Sequence, residues 1–322
     1  MTRVAIGIDL GGTDIKAGLV AEDGTLIQKY KKSTEARLGG AKVVERIGDL
    51  IGEILSSDAL KNPSYELVGV GMGSPGLIDH DKGSITRPVN IPGWDRWICV
   101  RDEFMKRFPE IKDVKVDNDA NVGALGEALF GRGRGMKVVL CLTLGTGVGG
   151  GVVIDGKVMH GTAGFAGELG HIMVNPCGPV CGCGNEGCLE TYASATAIAR
   201  YAQERVRVEH IPSLMKSMVK CRSEITSKVV CEAALQGDPV ALDVVAWAGK
   251  ALGIGIATLI VCFNPAIVCL GGGASNMGDL LFDHARKEIQ KRVFFNSHFE
   301  TPIVKAALGE EAGTIGSAGQ LF

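Results

Sequence analysis

The sequence has no excess of charge of either sign. Its 322 residues carry 34 Lys and Arg against 36 Asp and Glu, a formal net charge of −2. That near-balance leaves no basic surface for a phosphate backbone and no Lys/Arg block for an anionic membrane, so neither nucleic acid nor a membrane is expected as a partner. The apolar segment of a secretory leader is also missing, because MTRVAIGIDLGGT alternates like a strand from its start. The longest uncharged apolar run, residues 251–263, is bounded by Lys250 and by Asn264-Pro265. It is too short for the roughly 20 residues of a span and reads as a buried helix containing Gly253 and Gly255. The expected setting is therefore the cytoplasm, where thiols stay reduced and disulfides are not expected. Disorder is excluded by a hydrophobic content of 46%, enough for a sizeable core, and the length suits two lobes.

What the sequence does have is glycine, 46 residues of it, in clusters. Two of those clusters lie in a repeat. Residues 3–32 (RVAIGIDL-GGT-DIKAGLVA-EDG-TLIQKYKK) and residues 137–160 (KVVLCLTL-GTGVG-GGVVI-DG-KVMH) both read as strand, glycine turn, strand, Asp-Gly turn, strand. Asp23-Gly24 and Asp155-Gly156 are hairpin signals. A Rossmann loop joins a strand to a helix, whereas each of these loops joins two strands. Two such meanders predict an α/β protein of duplicated actin-like (ribonuclease H-like) architecture, with two lobes around a nucleotide and sugar cleft. Further strands are expected at 67–72, 114–116, 266–270 and 303–306. Helices are expected at 41–56, 121–130, 213–220, 227–237, 239–263, 277–292 and 313–321. The lobe boundary is expected near Lys115, giving a small lobe of residues 1–115, a large lobe of 116–308 and a terminal helix in 309–322 that returns to the first lobe.

The glycine loops predict where a nucleotide binds. Glycines let the backbone approach phosphate oxygens, and their N–H groups can form an anion nest. In the first loop Gly11, Gly12 and the Thr13 hydroxyl would do this, with Lys16 adding a cation and Asp9 orienting a hydrated Mg²⁺. Residues 145–151 hold five glycines in seven positions, more than a turn requires; Thr143, Gly145, Thr146 and Gly147 are its candidates. Gly272 and Gly273 lie between a strand and a helix, where a helix start favours anions. One loop alone is weak; three together argue for ATP.

The segment VDNDANVGALGE, residues 116–127, ends a strand and opens a helix. One of Asn118, Asp119 and Asn121 should be the N-cap. A carboxylate here could also accept a hydroxyl proton in phosphoryl transfer, a reaction that asks mainly for positioning and charge stabilisation. Residue chemistry does not separate Asp117 from Asp119. The segment GHIMVNPCGPVCGCGNEGCLE, residues 170–190, holds four cysteines. Cys181, Cys183 and Cys188 can wrap one structural Zn²⁺, with His171 or Cys177 as the fourth ligand. No C-x-x-C beside a thioredoxin-like pattern supports a redox centre. Glu168, His171 and Glu190 flank the cluster and could hydrogen-bond a polyhydroxylated ligand.

Taken together, IDLGGTDIK, GSPGLID, NIPGW, DNDAN, LGTGVGGG and GELGHIMVNPCGPVCGCGNEGCLE resemble the ROK (repressor, open reading frame, kinase) sugar kinases over essentially the whole chain, and most closely their bacterial-type glucokinases. The resemblance implies ATP-dependent phosphorylation of a hexose 6-hydroxyl, most closely that of glucose, and a homodimer. It implies Asp119 as the base. Asn118, Glu168, His171 and Glu190 would hold the other sugar hydroxyls, with Asn90 and the Ser74-Pro75-Gly76 turn closing the pocket. His171, Cys181, Cys183 and Cys188 would bind zinc. Cys177 and Asp14, a negative charge within the first phosphate loop, depart from the family pattern. Asp14 is expected to point away from the nucleotide, since side chains alternate along a strand. The same resemblance admits other hexoses: N-acetylmannosamine, N-acetylglucosamine, mannose, fructose or allose. It also admits a sugar-sensing repressor, which would carry a helix-turn-helix domain ahead of the first loop; here that loop begins at residue 9. A purely structural actin-like filament protein would not need a cleft acid beside a zinc-pinned loop.

Overall fold

The structure, a computed structural model, describes residues 1–88, 90–208, 212–295 and 300–322. Both meanders are present. The first is β1 (Thr2–Leu10), β2 (Asp14–Ala21) and β3 (Leu26–Ser33), paired antiparallel in sequence. The chain continues through α1 (Gly40–Leu55), β4 (Tyr65–Ser74), a small sheet of β5 (Leu77–Asp79), β6 (Ser84–Thr86) and β7 (Ile98–Cys99), then α2 (Val100–Arg107), β8 (Val114–Asn118) and α3 (Asp119–Phe130). The second meander is β9 (Val138–Leu144), β10 (Val148–Ile154) and β11 (Lys157–Val158). Helices α4 (Glu190–Ala193), α5 (Ala195–Val208), α6 (Met215–Met218), α7 (Ser227–Leu235) and α8 (Pro239–Phe263) follow. Strand β12 (Ile267–Gly271), α9 (Asp279–Arg292), β13 (Ile303–Lys305) and α10 (Ala312–Gly319) complete the order. The two large sheets run β3-β2-β1-β4-β8 and β11-β10-β9-β12-β13. In each, a meander is extended by parallel strands, the duplicated pattern expected from the repeat.

The chain divides into two compact units. One comprises Met1–Gly135, Gly151–Gly167 and Ala307–Phe322; the other comprises Met136–Gly150 and Glu168–Ala306. The first unit runs past the expected break at Lys115. The physical reason is β8, which pairs parallel with β4 from Val70↔Val114 to Ser74↔Asn118 and so belongs to the first sheet.

Alternation along β1 sorts its two faces. Val4, Ile6, Ile8 and Leu10 join α1 residues Val43, Ile47 and Ile51 in one apolar core. Ala5 faces Ile315 and Ala318 of α10 with Val20. That second face is nearly backbone against backbone. A Cβ at Gly7 would lie 2.0 Å from the Thr314 carbonyl oxygen, and one at Gly71 only 1.7 Å from that of Ser317. Ser317 Oγ donates to the Ile8 carbonyl at 2.8 Å across the same contact.

In the second unit α8 is the central helix, packed on α5, α7 and α9. Its N-terminus is capped by Asp238, which accepts the Ala241 N–H at 2.8 Å, with Pro239 in the first turn. The helix extends well before the apolar run singled out from sequence, and by length and composition it could cross a membrane. Within this unit 67% of its most apolar window is buried, the burial of a core helix. Helices α2, α4 and α5 and the β5–β7 sheet were not expected from the sequence. The helix expected at 213–220 is reduced to the single turn of α6.

Candidate active site

The candidate residues of the first unit collect at the carboxyl ends of parallel strands, where open α/β sheets bind ligands. Asp9 at the end of β1 is in register with Gly73 of β4, and Gly73 with Asp117 of β8. Lys16 lies opposite Asp9 on β2. Desolvation lifts the Asp9 carboxyl to about 6; nearby Asp119 and Glu311 add to the effect and Lys16 opposes it. The glycine loop between β1 and β2 is tightly braced. Gly11 N–H donates to the Asp14 carbonyl at 3.0 Å, and Thr34 Oγ1 donates to the Gly11 carbonyl at 2.7 Å. The Gly11 amide is thus used inside the loop. Asp14 is taken by Lys31 Nζ at 2.9 Å, and Lys16 Nζ meets Glu310 at 3.4 Å. Asn90, at φ 73°, sits against Gly12: a Cβ there would be 3.3 Å from Asn90 Cβ. Ser74 is buried, in register with Asn118, and donates to the Pro75 carbonyl at 2.9 Å.

The two competing aspartates differ sharply. Asp117 is buried and held by three partners. Its Oδ1 accepts Asn118 N–H at 2.7 Å and Asn121 Nδ2 at 2.9 Å, while its Oδ2 lies 2.7 Å from His160 Nε2. That bond raises the His160 imidazole above its ordinary value. Asp119 stands on the first turn of α3 and reaches solvent. Its surroundings still crowd it, and desolvation raises its carboxyl, against the lowering effect of the Ala120 N–H that Oδ1 accepts at 2.8 Å. Asn118 is the N-cap, accepting from Ala120 N–H at 2.9 Å, which leaves its Nδ2 group as a donor. A carboxylate that reaches solvent can meet a hydroxyl and take its proton, and Asp119 does so where Asp117 is buried among three hydrogen-bond partners.

The second unit holds two groups. At the ends of adjacent parallel strands, Thr143 of β9 is in register with Gly271 of β12. Gly272, at φ 80°, lies against the Leu144 backbone, with 2.6 Å from its would-be Cβ to the Leu144 carbonyl. This gathers Thr143, Gly145, Gly272 and Gly273. The loop of residues 145–147 closes through Gly145 N–H to the Gly147 carbonyl at 3.0 Å, and Ala195 N–H donates to the Gly145 carbonyl at 2.8 Å. Thr146 is exposed. The other group is His171, Cys181, Cys183 and Cys188, whose ligand atoms all lie within 4.8 Å of one another. Cys183 and Cys188 sulfurs are 3.7 Å apart, and Cys181 Sγ is 3.5 Å from His171 Nδ1. Tetrahedral metal–sulfur bonds of about 2.3 Å place two sulfurs about 3.8 Å apart, so the spacing suits one shared cation. Burial pushes the Cys188 thiol up to about 12, the direction a bound cation would reverse. Cys177 is exposed and outside this group. His171 enters through Nδ1, which leaves Nε2 for another partner.

Glu190 joins the two groups. Its Oε2 accepts the Val148 N–H at 3.0 Å, and its Oε1 lies 3.6 Å from Cys181 Sγ. A Cβ on Gly147 would come within 2.2 Å of Oε2, so any larger residue there would push this carboxylate off the Val148 amide. Glu168 is exposed and precedes the turn that presents His171.

The ROK family model matches residues 5–321. The chain belongs to the ROK family. Among ROK proteins it is similar to glucokinases of Thermotoga maritima, at 40% identity over 97% of this chain and 95% of that one, and of Halalkalibacterium halodurans, at 41% over 98% and 93%. A solved ROK glucokinase from Streptomyces griseus, in complex with glucose and AMPPNP, is 35% identical, covers 98% of each chain and superposes with a TM-score of 0.79. The chain shares the actin-like fold class of the solved ROK sugar kinases, as expected from the paired meanders. Sequence reasoning missed two contacts in this ROK chain: His160 on Asp117, and Glu190 on Val148. A lone histidine after a strand carries no local signal. The glycine at position 147 was the one available hint of a close neighbour.

Proposed function

We propose that this chain is an ATP-dependent hexose 6-phosphotransferase acting on glucose, with Asp119 as the general base. The observation that carries the reading is near full-length similarity to glucokinases at 40% and 41% identity. The contrast between an occupied Asp117 and an open Asp119 supports the choice of base. Base catalysis needs a carboxylate that is ionised but not too weak, and the raised Asp119 carboxyl fits that task. Asn118, Asn90 and the turn of Ser74, Pro75 and Gly76 serve the sugar, as do Glu168, His171 and Glu190. Gly12, Thr13 and Lys16 serve phosphate, as do Thr143, Thr146, Gly147, Gly272 and Gly273, while Gly11 and Gly145, whose amides are spent inside their loops, shape the backbone around it. Mg²⁺ supplies charge neutralisation on the nucleotide. Asp9 is the residue to orient it, because Asp9, Asp119 and Glu311 accumulate negative charge that a cation would relieve. Zn²⁺ is the metal for His171, Cys181, Cys183 and Cys188, and its role is structural because four protein ligands close its shell. Three cysteine ligands must stay reduced, which favours the cytoplasm.

The test is ADP release against glucose, mannose, N-acetylmannosamine, N-acetylglucosamine, fructose and allose, run on wild type and Asp119→Asn. Preference for glucose is expected, with kcat of the variant lower by about 100-fold or more and glucose affinity retained. Turnover of another hexose in preference would replace the substrate. A variant keeping more than about a tenth of wild-type kcat would remove Asp119 from the role of base.

A further inference from the structure

His160 is unassigned among the residues proposed for sugar, nucleotide or metal, yet it holds the strand that delivers Asp119. Strand β8 is gripped from outside at both ends. At its start, Arg101 Nε donates to the Val114 carbonyl at 2.9 Å, and its other nitrogens donate to the carbonyls of Asp81 at 2.5 Å and His80 at 3.2 Å. At its end, His160 Nε2 sits 2.7 Å from Asp117 Oδ2. The two grips are connected: the His80 and His160 rings stack at 4.0 Å with an interplanar angle of 9°. Asp117 passes the constraint on, since its other oxygen holds the Asn118 amide and the Asn121 side chain on either side of Asp119.

We propose that His160 is a positioning residue, which by holding Asp117 sets the backbone at Asn118 and so the direction of the Asp119 carboxylate. The proposal rests on Asp119 being the base. A misplaced reacting group is costly: about 1 Å of displacement can lower a rate about 100-fold. The buried Asp117 carboxylate needs every partner it has, so a lost donor on Oδ2 would let the junction shift.

The experiment compares kcat, KM for glucose, KM for ATP and thermal midpoint in wild type, His160→Phe, His160→Gln and Asp119→Asn. Phe keeps a ring on His80 and removes the donor; Gln keeps a donor. His160→Phe should lower kcat by about 10- to 100-fold with both KM values within about threefold, and His160→Gln should recover most of that loss. A role in stability alone would lower the midpoint and leave kcat of the folded enzyme unchanged, which overturns the proposal. So does a Gln variant no better than Phe, or a rise in KM without loss of kcat. Should His160→Phe not fold, the cycle of His160→Ala with Asp117→Asn decides, because both changes remove the contact: coupled residues give a non-additive loss of kcat, and additive losses overturn the proposal. A wild type inactive on every hexose, or an active Asp119→Asn, overturns both this inference and the reading beneath it. An active wild type, an inactive Asp119→Asn and an insensitive His160 overturn this one alone.

Discussion

The two glycine loops begin from the same sequence device and end up supported in different ways. The loop between β1 and β2 is braced from within its own meander: Asp14 takes the Gly11 amide, and Thr34, just past β3, takes the Gly11 carbonyl. The loop between β9 and β10 leans on residues far along the chain. Glu190 accepts the Val148 amide from 42 positions away, and Ala195 donates to the Gly145 carbonyl. Duplication thus conserved the strand–turn–strand frame and not the means of holding the turn. The second loop is tied to the cysteine segment, and a perturbation there should reach the nucleotide. The first should respond only to its own neighbourhood.

The largest effect that could break this contrast is metal removal. Stripping the cation proposed for the Cys181, Cys183 and Cys188 cluster, or replacing Cys181 by Ser, should weaken ATP binding about 10- to 100-fold, the scale on which disturbing the surroundings of a metal site lowers activity. Metal content and ATP affinity measured side by side check this; a metal-free protein with unchanged ATP affinity would end the dependence argued here. Next comes Glu190→Ala. It leaves the Val148 amide without its acceptor, at about 1–3 kcal/mol, and should raise KM for ATP about 5- to 160-fold on that energy. If only glucose binding suffers, Glu190 serves the sugar and not the loop.

The third prediction concerns the first loop and pH. Asp9 in the folded protein titrates at about 6, above its ordinary 3.8. The folded state therefore keeps this proton where the unfolded chain has released it, and stability falls as pH rises from about 4 to about 6. Above that window the penalty is fully present. Asp9→Asn should then raise the thermal midpoint at pH 7 by a few degrees and leave it unchanged near pH 4, while weakening Mg²⁺-dependent ATP binding. In wild type that binding should fall as pH drops through about 6. Melting curves at the two pH values check the sign; a lower midpoint at pH 7 would reverse it. The smallest effect is Thr34→Val, which removes one hydrogen bond worth about 0.5–1.5 kcal/mol and should raise KM for ATP by about two- to tenfold on that energy. A larger loss would make the first loop as dependent as the second.

The meanders were legible because three signals agreed at each: alternation, glycine and an Asp-Gly turn. Asp155 and Gly156 do both take positive φ, at 50° and 75°, as a two-residue hairpin loop requires. Helix α5 left a fainter mark. Ser194 Oγ accepts the Ala197 N–H at 3.0 Å and caps it, but the charged stretch behind it hid the buried stripe of Ala197, Ile198 and Ala202. Strands of two or three residues, as in β5–β7, have no period to read. At the site, residue types and spacing reached Cys181, Cys183 and Cys188 but left His171 and Cys177 tied for the fourth place. The distances favour His171. They favour Asp119 over Asp117 for a different reason, since occupancy of lone pairs is a property of the folded neighbourhood and not of a motif.

The contact between α10 and the first sheet sets an order of events in synthesis. The unit that contains it is assembled from Met1–Gly135, Gly151–Gly167 and Ala307–Phe322. When a ribosome has made the first of these stretches, the sheet exists without its covering helix, and the shallow trough over Gly7 and Gly71 lies open. The nascent chain must therefore carry an unfinished first unit while the whole of the second is translated, a vectorial delay of the kind that exposes intermediates to aggregation.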